Sequence, residues 1–149
     1  MSAVLIPDVN ILAYAYDSRA PRHERARAWW ESTLGQPRAI GLPWATALGF
    51  IRLTTHPNIW ERPLPPRDAM GIVRMWLDHP RVRILTPGER HAEILFDLLL
   101  ELGVAGNLTY DAHLAALAIE YQAELVSTDT DFARFPGLRW FNPLAGRRA

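Results

Sequence analysis

The sequence predicts a single α/β/α domain with a mainly parallel central sheet flanked by helices. Three observations carry that prediction. Short apolar runs alternate along the chain with longer amphipathic stretches, the pattern of repeated strand–helix–strand units. The first such run, Ala3 to Ile6, is wholly apolar, as a strand covered on both faces is. The chain has 149 residues, 49% of them hydrophobic, which suits one domain with a real core and is too apolar for disorder.

Taken in order, Ala3-Val4-Leu5-Ile6 stops at Pro7 and reads as the first strand. A helix follows at once through Ile11, Leu12 and Tyr14. Arg22 to Leu34 reads as the second helix, started by Pro21, ended by Gly35, with Ala26, Trp29, Trp30 and Thr33 on one face. Ala39 to Leu42 is the second strand. Trp44, Ala47, Leu48 and Ile51 set the apolar face of the next helix, closed before Pro57. Ala69, Ile72, Val73, Trp76 and Leu77 set another, ending before Pro80. Val82 to Leu85 is the third strand. Glu89 to Leu102 is a helix with Ala92, Leu95, Phe96 and Leu99 inward and Gly103 as its stop. Thr109 caps a helix over Tyr110 to Tyr121, with Leu114, Leu117, Ala118 and Tyr121 as its apolar face. Leu125 to Ser127 is the fourth strand and Leu138 to Phe141 a fifth. Asn142-Pro143 closes the domain at 1–143, and 144–149, with Arg147 and Arg148, reads as a disordered tail.

Composition excludes several classes. No stretch approaches the roughly 20 apolar residues that span a bilayer, and the N-terminus lacks the basic start and long apolar run of a secretory signal. There is no cysteine, hence no disulfide framework and no thiolate metal site. The expected setting is cytoplasmic. Formal net charge is +0, so any hold on nucleic acid must come from a local patch. All 16 basic residues are arginine. That removes Schiff-base chemistry and phosphate loops that need a lysine.

The chemistry lies in where the carboxylates fall. In open parallel sheets, ligands bind beyond the carboxyl ends of the strands. Asp8 follows the first strand directly, and Asp129 and Asp131 follow the fourth. Asp111 lies in the first turn of the helix before the fourth strand, which ordinary right-handed crossovers bring to the same end of the sheet. Hard oxygen ligands of this kind suit Mg²⁺ or Mn²⁺. Such an ion activates water and neutralises phosphate charge during in-line attack. Each residue also has a plainer role: Asp8 as a helix cap, Asp111 as a complement to the helix dipole, Asp129 and Asp131 as turn-formers. Asn10, two residues after Asp8, either hydrogen-bonds its loop or orients a carboxylate. His113, two beyond Asp111, points away from it on the helix and reads as packing.

These residues resemble a known family. Ile6-Pro7-Asp8-Val9-Asn10 resembles the opening D-x-N motif of the PIN-domain nucleases. Tyr110-Asp111-Ala112-His113-Leu114 resembles their third acidic motif, and Ser127-Thr128-Asp129-Thr130-Asp131-Phe132 the closing one. Gly49-Phe50-Ile51-Arg52-Leu53, running into Thr55-His56-Pro57, is similar to the second motif of the VapC toxin branch, and the tail from Arg134 to Trp140, then Asn142-Pro143, looks like that branch. The resemblance implies a Mg²⁺- or Mn²⁺-dependent endoribonuclease that cleaves RNA with a metal-activated water. It would be the toxin of a toxin–antitoxin pair, neutralised by a VapB-type antitoxin and homodimeric. By motif match, Asp8 and Asp111 are the principal metal ligands and Asp129 completes the catalytic set, with Asn10, Asp131 and Arg52 as support.

One position departs from the pattern. Many family members carry Glu three residues before the arginine matching Arg52, and here Gly49 stands there. The site is expected to be one carboxylate short, either with weaker metal affinity or with Asp131 compensating; Glu61, beyond Pro57, is a poor substitute.

Arg19, Arg22, Arg25 and Arg27 grip phosphates, pair with acidic groups of an antitoxin, or pair with Glu24 and Glu31 as a solvated face, the default. Arg52 ranks above them for phosphate contact. Trp29 and Trp30 are adjacent and cannot both face one core centre. Two other readings compete with the nuclease. A haloacid-dehalogenase-type phosphatase or a response-regulator receiver fails on the missing lysine. A degenerate PIN fold that only binds RNA or protein remains open, because of Gly49.

Overall fold

In the computed structural model, which describes residues 3–145, five strands make one sheet: β1 (Leu5–Pro7), β2 (Ile40–Pro43), β3 (Val82–Leu85), β4 (Glu124–Val126) and β5 (Arg139–Phe141). All neighbours run parallel, in the order β3-β2-β1-β4-β5. Successive strand side chains point to opposite faces, and here both faces are apolar. Leu5 and Val126 enter one core, with side chains from α1 (Val9–Tyr16), α2 (His23–Leu34), α3 (Trp44–Thr55) and α4 (Pro66–Asp78). Ile6 and Leu125 enter the other, with α5 (His91–Leu102) and α6 (Thr109–Glu120). The expected α/β/α class with a parallel sheet is borne out.

Chain direction explains the layering. From β1 to β2 to β3 the chain steps one way across the sheet; from β3 it returns past β2 and β1 to reach β4. Right-handed crossovers stepping in opposite directions place their helices on opposite faces. The reversal also leaves a switch point between β1 and β4, where open α/β sheets form their ligand crevice.

The first core is built on aromatic rings. Trp76 of α4 meets Phe50 at 4.7 Å, Tyr16 at 5.9 Å and Trp30 at 6.0 Å between centroids. Its indole N–H donates to the Tyr16 hydroxyl at 3.1 Å. Trp30 is buried and its neighbour Trp29 half-buried against it, so the pair divides between core and surface. Gly41 of β2 faces Leu85 so closely that a Cβ there would collide with the leucine's Cδ1.

Two helices present faces other than those the periodicity indicates. In α3, Trp44 is 47% and Leu48 58% exposed, while Thr46, Ala47, Phe50 and Thr54 turn inward. The buried threonines cost little because each hydroxyl donates to a carbonyl, Thr46 to Pro7 at 3.1 Å and Thr54 to Phe50 at 2.9 Å. In α5, His91, Ile94 and Leu98 are buried, Leu95 and Leu99 half-buried, and Ala92 and Phe96 exposed. That helix carries apolar residues nearly all round, so spacing alone does not select its inward side. Thr109 is not a cap: its backbone is already helical, and the chain enters α6 from a 3₁₀ turn over Gly106–Leu108. Tyr121 is 39% exposed, its hydroxyl donating to the Thr86 carbonyl. Gly103, at φ 72°, ends α5 as expected. Leu144 is buried in the first core, one residue past the expected boundary. Arg147 and Arg148 lie outside the described residues. No helix among the described residues is long and apolar enough to cross a membrane.

Truncating Trp76 to Ala should cost about 3–5 kcal/mol in urea unfolding. Trp44→Ala, at the surface, should stay within about 0.5 kcal/mol of wild type. Equal losses would contradict the assignment of the inward faces.

Candidate active site

β1 delivers Asp8 to the switch point. The Asp8 backbone N–H still pairs with the sheet, donating to the Val126 carbonyl at 2.8 Å. The side chain is 5% exposed. Oδ1 accepts from the Val9 N–H at 2.7 Å, capping α1, and Oδ2 accepts from the Ser127 hydroxyl at 2.7 Å. The capping role and the site role therefore coexist in one carboxylate. Burial pushes its pKa up, the two hydrogen bonds oppose that, and the nearby Asp129 adds to it.

β4 delivers the rest through Ser127. The Ser127 hydroxyl that donates to Asp8 also accepts from the Asp129 N–H at 3.0 Å. Asp129 Oδ1 in turn accepts from the Asp131 N–H at 2.9 Å and starts a 3₁₀ turn over Thr130–Arg134, anchored by buried Phe132. Asp111 comes from the first turn of α6. Carboxylate oxygens of Asp111, Asp129 and Asp131 lie within 4.8 Å of one another. Burial, with repulsion from Asp129, Asp8 and Asp131 and a hydrogen bond with Asp129, pushes Asp111 up to about 7.

A cleft of about 600 Å³ opens beside this cluster. Asp8 and Asp111 form its acidic wall; Val9, Leu48 and Leu114 are apolar lining, and Arg52 stands at its edge. The expected residues are thus divided. Asp111 belongs to both groupings: it faces the cleft with Asp8 and clusters with Asp129 and Asp131. Asn10 is half-buried, does not line the cleft, and makes no hydrogen bond to these carboxylates among the described residues. Gly49 lines the cleft, and a Cβ there would stand 3.2 Å from Val9 Cγ2, a tight contact to which Val9 would have to yield slightly. Glu61 is engaged elsewhere, ion-paired with Arg19 at 2.6 Å. Arg27 pairs with Glu24 and Glu31, as a solvated face does. His113 turns away from Asp111 to meet His91, nitrogen to nitrogen at 2.9 Å, and burial lowers its pKa.

Sequence reasoning missed two residues. Ser127, fully buried, was read as the last residue of a strand and as part of the closing motif, but was given no role; its place two before Asp129 was the available signal. Tyr110, adjacent to Asp111, lines the cleft and is 79% exposed.

The donor set fits a hard divalent cation: it is all oxygen, offers no sulfur, and combines burial with crowded like charges that together push one carboxyl up to about 7. A cation would take that proton's place. In its absence the sign of the pH dependence follows. Asp111 binds its proton more tightly folded than unfolded, so stability falls as pH rises from about 4 to about 7. In chelator, the thermal midpoint of wild type should drop across that window. Asp111→Asn should flatten the drop and melt higher than wild type above it. An unchanged slope in the variant would contradict the crowding.

The comparisons agree with this geometry. The PIN-domain family model matches residues 5–138. Ribonuclease VapC33 of Mycobacterium tuberculosis is 48% identical over 141 residues, covering 95% of this chain and 99% of that protein. Among solved structures, VapBC-1 from nontypeable Haemophilus influenzae superposes with TM-score 0.68 at 17% identity, covering 94% of this chain and 98% of that one. A toxin–antitoxin complex from Klebsiella pneumoniae gives TM-score 0.62 at 20% identity, covering 95% and 98%. At those identities the two structures speak for the fold.

Proposed function

The chain belongs to the PIN-domain family, and on that premise we propose that it is a divalent-metal-dependent endoribonuclease, the toxin of a VapBC-type toxin–antitoxin pair. The observation that carries the proposal is the oxygen-only cluster at the β1/β4 switch point, opening on a cleft large enough for substrate. The ribonuclease relative at 48% identity over nearly its whole length supports the activity. The likeness of the fold to that of toxin–antitoxin complexes is consistent with a VapB-type antitoxin as partner. The remaining parts of the reading are a homodimer, a cytoplasmic setting and RNA as substrate.

In this reading Asp8 and Asp111 would hold Mg²⁺ or Mn²⁺, Asp129 would complete the set, and Asp131 would support it. The bound ion supplies Lewis-acid neutralisation of the phosphate and lowers the pKa of the attacking water. The protein's own part is placement. Ser127 orients the Asp8 carboxylate and the Asp129 backbone through one hydroxyl. Asp111, whose carboxyl is pushed up to about 7, would have to give up its proton to serve as a ligand. Arg52, exposed at the edge of the cleft, offers a planar pair of donors to a phosphate.

A binding-only reading rests on one observation: α3 brings no carboxylate to the cleft, and Val9 crowds Gly49 where one would stand. Cleavage separates the two. Purified protein with Mn²⁺ should cut RNA, and chelator should stop it. Asp8→Asn should abolish both cutting and the new RNA ends seen on sequencing from expressing cells. Ser127→Ala should keep the fold and lose roughly 10–100-fold in activity at limiting Mn²⁺. RNA ends unchanged between wild type and Asp8→Asn would favour the binding module.

A further inference from the structure

Tyr110 lines the cleft with most of its ring left in solvent. Its side chain is 79% exposed, and no hydrogen bond or ring contact holds it among the described residues. An aromatic ring left in water gives up the burial energy that rings usually supply. It stands one residue before Asp111, at the mouth of the cleft, so it flanks the position where a phosphate would meet the acidic cluster. The cleft beside it is not polar throughout. Val9, Ala45, Leu48 and Leu114 line it, with Leu48 itself 58% exposed. Phosphate and ribose have no use for such a lining. A flat, weakly polar, unstacked base does.

We propose that Tyr110 is the platform on which a nucleobase next to the scissile phosphate stacks, with the Val9–Leu48–Leu114 wall receiving the same base. This rests on the ribonuclease reading above. Every base has a π-face, so a platform of this kind tolerates sequence and demands an unpaired strand. Tyr110 is therefore a substrate-binding residue that selects single-stranded over helical RNA at the cutting position. Its hydroxyl has no part in the role. A protein segment lying in the cleft would also cover the ring, but the neighbouring phosphate chemistry favours RNA.

The test is binding of a short single-stranded RNA and of an abasic ribose-phosphate strand of equal length, in Mn²⁺. It is read by fluorescence anisotropy on an Asp8→Asn background that keeps the strand intact. Adding Tyr110→Ala should weaken binding of the RNA about tenfold and leave the abasic strand within twofold. Tyr110→Phe should bind both as tyrosine does. Equal losses on the two strands, or none on either, overturn the stacking role and leave the ring to a protein partner. Wild-type cleavage of total RNA with Mn²⁺ is run alongside. If cleavage persists while Tyr110→Ala has no base-dependent effect, the stacking role alone falls. If wild type neither binds nor cuts RNA, the ribonuclease reading falls and the stacking role with it.

Discussion

Ser127 donates to Asp8 Oδ2 at 2.7 Å across the gap between the ends of β4 and β1, residues 119 apart in sequence. The same oxygen accepts from the Asp129 N–H at 3.0 Å. One buried hydroxyl thus ties the two halves of a reversed sheet together where their carboxyl ends part. Without a donor there, the Asp8 carboxylate would sit buried with Val9 as its sole hydrogen-bond partner, an expensive state. The reversal of strand order makes the crevice; Ser127 fixes the two acidic arms that enter it.

That arrangement sets folding against chemistry. Asp111, Asp129 and Asp131 repel one another, and Asp8 adds its charge from behind. Nothing in the apolar cores relieves this. The stability that tolerates it comes from elsewhere: from the rings around Trp76 on one face of the sheet, and from the alanine- and leucine-rich α6 packed on the other. A cation is the natural relief, since burial and the neighbouring carboxylates together hold the Asp111 carboxyl well above its usual range. The exposed cleft lining and Tyr110 fit the same division, with burial given up at the edge where substrate would supply it.

Much of this was legible from residue order. The strand-helix alternation gave the layers, and strand-end carboxylates gave the site, because side-chain periodicity and crossover handedness are local rules with global consequences. What stayed hidden depended on partners far along the chain. Trp44 and Leu48 read as inward, yet α3 buries Thr46 and Thr54, whose hydroxyls find carbonyls. Phe96 read as core, yet α5 buries Ile94 and Leu98 in its stead. Ser127 needed Asp8, and no spacing within its own strand announces a bond across 119 residues. Gly49 was visible as a missing carboxylate, but that Val9 stands close against it is a fact of packing.

The central claim is that the crowded carboxylates are a cation site. Calorimetric titration with Mn²⁺ at about pH 6, in two buffers of different ionisation enthalpy, tests it most directly. Below the Asp111 pKa of about 7, loading must displace its proton. The account predicts saturable binding whose heat changes with buffer by close to one proton, with Asp111→Asn losing both the proton release and most of the affinity. Binding without proton release, or no saturable binding at all, would contradict it.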